Sequence, residues 1–161
     1  MAFPLRTMGT PNASIAAAVG SIAIKHSHLD HVLRLSIKRM LEMSIKDPAY
    51  KLLMDQTMTS KLVLMLRKQL AVNDRFTSAQ KTRVKRILKD VEPLTDMRNT
   101  LVHSVWARYK GENLQLIHGA RRDVQAVPSH ATMRECGKKI DELRKELDDL
   151  TRSVFNIEAV R

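Results

Sequence analysis

Residues 12–48 read NASIAAAVGSIAIKHSHLDHVLRLSIKRMLEMSIKDP. Apolar side chains recur at Ile15, Val19, Ile22, Leu29, Leu33 and Met40, and His26 and Ser36 fall in the same seam. The steps alternate between four and three residues, as in a helix that packs along its whole length in a bundle. Asn12 or Ser14 offers the N-cap. Asp47-Pro48 ends or restarts the element, because a residue before proline is pushed out of the helical region.

The same period continues downstream. Leu62, Met65, Leu66 and Leu70 mark a second helical region over about 48–72 with a break near Thr59-Ser60, and Asn73-Asp74 is a turn signal. Thr77 or Ser78 opens a third long helix with Val84, Ile87, Leu88, Val91 and Leu94 on its apolar face. Pro93 should kink this helix rather than end it, since the period resumes through Leu101, Val102 and Val105. Trp106–Tyr109, a turn at Lys110–Asn113 and Leu114–His118 read as a short hairpin. Ser129 opens a last helix, roughly 129–158, with Ile140, Leu143, Leu147, Leu150 and Val154 on one stripe. The expected fold is all-α, a four- or five-helix up-down bundle with a hairpin-like insertion after the third long helix. Residues 1–11, with Pro4, Gly9 and Pro11, read as a flexible arm, and 12–161 as one helical domain.

Composition agrees. The chain has 161 residues, 43% apolar, with aromatics at 4% and five each of Gly and Pro. That balance argues against a sandwich or barrel. A single cysteine, Cys136, excludes a disulfide framework and a multi-cysteine zinc site. Arg6 is a thin basic region and polar residues interrupt the Ala-rich run, so neither a secretory signal nor a membrane span is expected, and the expected location is cytoplasmic.

The formal net charge is +11. Residues 1–50 contribute +3, residues 51–110 contribute +8, and residues 111–161 balance to zero. A basic excess concentrated in the middle third points to a polyanionic partner, nucleic acid first. Lys81, Lys85 and Lys89 follow at i, i+4 and i+8, with Arg86 beside them, and are the expected RNA-backbone contacts.

The chemistry-bearing segment lies in the same third. It runs Asp96-Met97-Arg98-Asn99-Thr100-Leu101-Val102-His103-Ser104-Val105-Trp106. An Arg-Asn pair, three residues and a His on a core helix resembles the signature of the HEPN superfamily, a set of small helical bundles. The resemblance covers about ten residues as motif and most of the chain as architecture. It implies metal-independent RNA cleavage by a homodimer with a composite site at its interface, in which Arg98 and His103 are catalytic and Asn99 assists. A toxin or defence effector, with an antitoxin or other partner protein, is the implied setting. A non-catalytic module of the same fold that binds nucleic acid or protein is the alternative.

Elementary chemistry supports those roles. Imidazole exchanges protons near neutrality, and guanidinium holds phosphate bidentately. Positions 98 and 103 stand about 140° apart on an ideal helix, whereas Asn99 and His103 share a face, so Arg98 must reach round from the side. Asp30, His26 and Ser104 are candidates to support the site, with Asp30 or His26 orienting Arg98. No cofactor and no metal are expected. No Gly-rich phosphate loop occurs, and His26 and His28 lie about 200° apart on a helix, too far to ligate one ion.

Overall fold

The computed structural model describes residues 6–55, 58–109, 113–118 and 123–156. Among them are five helices: α1 (Ala13–Met40), α2 (Pro48–Asp55), α3 (Thr59–Val72), α4 (Ser78–His103) and α5 (His130–Val154). The capping chemistry sets three of the starts. Asn12 accepts from the Ile15 amide, Ser129 accepts from the Thr132 amide, and Thr77 forms a reciprocal capping box with Gln80. Pro93 lies inside α4 without ending it. The expected break falls between α2 and α3.

α1 packs against α5, α3 and α4 and forms the centre of the bundle. Its expected seam is buried from Ile22 through His26, Leu29, Leu33 and Ser36 to Met40. Leu62, Leu66 and Leu70 of α3, Ile87 and Leu88 of α4, and Ile140 and Leu147 of α5 are all fully enclosed around it.

The expectation of a mostly helical fold holds, and a small sheet must be added to it. A four-stranded antiparallel sheet in the order β1-β2-β3-β4 accompanies the helices: β1 (Arg6–Met8), β2 (Val105–Tyr109), β3 (Gln115–His118) and β4 (Asp123–Ala126). The expected hairpin is its central pair, with Val105 opposite Ile117 and Trp106 opposite Leu116. Most of the turn expected to join them, residues 110–112, lies outside the described residues. The arm is also corrected from residue 6 onward, residues 1–5 lying outside the described set. Arg6, Thr7 and Met8 pair with Tyr109, Arg108 and Ala107, and the Gly9 amide donates to the Trp106 carbonyl at 2.9 Å. The exposed backbone of β2 supplies hydrogen-bond partners that no local pattern in residues 6–8 announces. A Cβ at Gly9 would stand 2.3 Å from Leu114 Cδ1, so any larger residue there needs the Leu114 side chain to turn aside.

A charged clamp joins the far ends of α1 and α5. Arg39, its side chain 8% exposed, reaches Asp148 at 2.8 Å and Thr151 at 2.7 Å, and Arg152 reaches the other Asp148 oxygen at 2.8 Å. Burial works against the Asp148 charge, but these hydrogen bonds and the two guanidinium charges outweigh it and hold the carboxyl below its ordinary range.

Two outcomes are expected. Leu33→Ala should cost about 3–4 kcal/mol in denaturant unfolding with an unchanged slope, because it opens a cavity in an enclosed seam. The stability advantage of wild type over Asp148→Asn should be constant above about pH 5 and shrink as the pH falls below about 4. A depressed folded-state pKa stabilises in full while the unfolded carboxyl is also ionised, and that contribution is lost as the pH falls on through the folded-state value.

Candidate functional site

α4 delivers the motif at its last turns. Leu101 is buried and anchors the helix, Arg98 and Asn99 are half-buried, and His103 is exposed. The Arg98 guanidinium does reach round: Nη1 donates to Asn99 Oδ1 at 2.9 Å and meets His103 Nε2 at 3.1 Å. Guanidinium only donates, so Nε2 carries a lone pair and the neutral imidazole holds its proton on Nδ1. Arg98 Nε is buried and has no acceptor among the described residues. An unmet buried donor costs about 1–3 kcal/mol, so this resting arrangement leaves Arg98 incompletely satisfied.

The end of α4 is held by the sheet. The Ser104 amide donates to the Thr100 carbonyl at 3.2 Å, and the Trp106 indole donates to the Leu101 carbonyl at 3.2 Å. These bonds occupy carbonyls that a helix C-terminus leaves open. Ser104 is buried, and its Oγ lies 3.0 Å from His118 Nδ1. The Val105–Ile117 pairing sets Ser104 opposite His118 one step further along the same register. His118 was not singled out from the sequence. The hairpin register was the signal for it, and it becomes visible once the strand ends are known.

His26 and Asp30 act elsewhere than expected. His26 is 2% exposed, and its Nε2 lies 3.0 Å from Thr95 Oγ1. Thr95 gives its own proton to the Val91 carbonyl at 2.9 Å, so His26 Nε2 is the donor. His26 Nδ1 lies 3.5 Å from Asp30 Oδ2, and Asp30 Oδ1 accepts from Thr59 Oγ1 at 2.8 Å. The chain Thr59–Asp30–His26–Thr95 therefore ties α3, α1 and α4 together. It meets α4 one turn before Arg98 and does not bond to Arg98. His26 alone reaches α4, and Asp30 bonds α3 instead, so neither makes the expected contact with Arg98.

The basic stripe follows the face of the site. At 100° per residue, Lys81, Lys85 and Lys89 fall within about 40° of His103 around the α4 axis. Lys85 and Lys89 are exposed and Lys81 is half-buried. Arg86 is exposed and pairs with Glu146 of α5 together with Arg83. Exposed Glu92 and Asp96 lie on the same face between Lys89 and the motif, so the stripe does not run unbroken to His103. Cys136 is buried, and burial pushes its thiol pKa up, which is the wrong direction for a nucleophile.

Comparison with known proteins finds no family model that matches the chain, no matching curated protein and no matching solved structure. Among the described residues no helix is long and apolar enough to cross a membrane.

The hydrogen-bond assignment is open to measurement. Nitrogen NMR of neutral His103 should show the proton on Nδ1. Arg98→Ala should shift the ring toward the Nε2–H tautomer, which model imidazoles favour when nothing donates to Nε2, while His118 keeps its signals.

Proposed function

We propose that the chain is a metal-independent endoribonuclease in which Arg98 and His103 act on one phosphodiester. The observation that carries this reading is the 3.1 Å contact between the Arg98 guanidinium and the lone pair of an exposed imidazole. A phosphate is a stronger acceptor for guanidinium than a neutral imidazole. An arriving phosphodiester therefore draws Arg98 away from His103 and gives the buried Nε a route to an acceptor. His103 Nε2 is then free to take the proton of the ribose 2′-hydroxyl. That oxygen attacks the adjacent phosphorus, the bond from phosphorus to the 5′-oxygen breaks, the leaving oxygen takes a proton from water or from a protonated imidazole, and a 2′,3′-cyclic phosphate remains. Arg98 holds the charge that develops on the non-bridging oxygens.

Asn99 steadies Arg98 in the resting state through its Oδ1. Lys81, Lys85 and Lys89 draw the RNA backbone toward this face. A twofold dimer that pairs the exposed ends of two α4 helices would put a second His103 beside the leaving oxygen. A toxin or defence effector is the setting this chemistry suits, since cleavage of cellular RNA stops growth.

Mixed RNA incubated in EDTA should be cleaved by wild type. His103→Ala should lower the rate about 10²–10⁴-fold and Arg98→Ala about 10²–10³-fold. DNA of the same sequence should stay intact, because it lacks the attacking hydroxyl. Salt-sensitive RNA retention without cleavage would replace this reading with a binding module. Full activity in a strictly monomeric variant would remove the dimer from it.

A further inference from the structure

The elbow between α1, α2 and α3 carries exposed apolar side chains that the bundle does not use. Leu41 is 42% exposed, Ile45 69%, Leu52 73% and Met65 36%. A groove of about 290 Å³ opens among them, lined by Leu41, Met43, Ala49, Leu52, Leu53 and Met65. No charged side chain lines it. Apolar side chains gathered on an exposed groove mark an interaction site more often than chance exposure does.

Charge on the rim selects the occupant. Lys46, Lys51, Lys61 and Lys68 are exposed around the elbow. Lys61, Met65 and Lys68 follow at i, i+4 and i+7, so the two ammonium groups flank the apolar side chain on one face of α3. The exposed charges of residues 38–68 are basic at Lys46, Lys51, Lys61, Arg67 and Lys68 and acidic at Glu42 and Asp55. A second copy of the chain would bring an equal positive rim against this one, and like charges across an interface are unfavourable. A segment with apolar side chains on one side and carboxylates on the other meets both features.

We propose that this elbow docks an acidic amphipathic helix of a partner protein, its apolar stripe in the groove and its carboxylates on the lysine rim. The binding mode is a helix laid in a groove, with anchors at i, i+3, i+4 and i+7. It is independent of the ribonuclease reading, since the groove and Arg98 draw on different residues.

The probe is a labelled synthetic peptide with Leu at those four spacings and Glu at the remaining positions, titrated with the full chain by fluorescence anisotropy. The acidic peptide should bind and weaken as salt rises. A peptide with Lys for every Glu, and one with the same composition but scrambled spacing, should each bind at least about tenfold more weakly. Leu52→Ser should weaken the acidic peptide about tenfold, as loss of an anchor does. Lys61→Glu with Lys68→Glu should do the same and flatten the salt dependence. Leu52 is largely exposed, so these variants should keep the wild-type circular dichroism and melting curve. No binding, equal binding of the lysine or scrambled peptide, or indifference to Leu52→Ser would overturn the proposal. So would a concentration-dependent dimer in sedimentation that Leu52→Ser abolishes, which would assign the groove to a second copy.

Discussion

Everything at the candidate site depends on where α4 stops. A helix end leaves carbonyls without partners, and a side chain placed there is fixed only as well as that end is. Here two donors just past the last helical residue close the turn: the Ser104 amide on Thr100 and, from the following strand, the Trp106 indole on Leu101. His103 is consequently the last helical residue, exposed yet on a fixed backbone. One more turn of helix would carry Ser104 and Trp106 away from β3 and remove both the register and the anchors.

The bundle and the sheet thus have separate tasks. α1 buries its seam against three helices and supplies the stiffness. From its middle, His26 and Asp30 reach sideways to Thr95 and Thr59, so the polar chain that crosses the core also sets the position of α4 one turn ahead of the motif. Buried polar groups of this kind persist when each has a partner, and all four side chains here do. The Arg39–Asp148–Arg152 clamp does comparable work for α1 and α5 at the opposite end.

What could be read in advance was what local rules govern. The caps at Asn12, Thr77 and Ser129 and the apolar stripes follow from spacing within one segment. The Arg98 geometry followed from helix angles and a long flexible side chain. What could not be read depends on distant partners. Residues 6–8 form a strand because β2, about a hundred positions away, presents an open edge. β4 is exposed at all four positions and so shows no alternation. His118 gains its place through pairing register. Arg86 was expected to contact the RNA backbone, and its exposed side chain also pairs with Glu146 on another helix, a partner that no local pattern announces. Thr95, an ordinary helical residue by pattern, proves to be where the buried histidine attaches.

Trp106 is the single tryptophan of the chain. Its indole nitrogen is bonded to the backbone two positions before His103. Indole emission shifts with hydrogen bonding and hydration, so the molecule carries an intrinsic optical gauge of how firmly the motif is held. No label is needed to watch it, and no other indole competes with the signal.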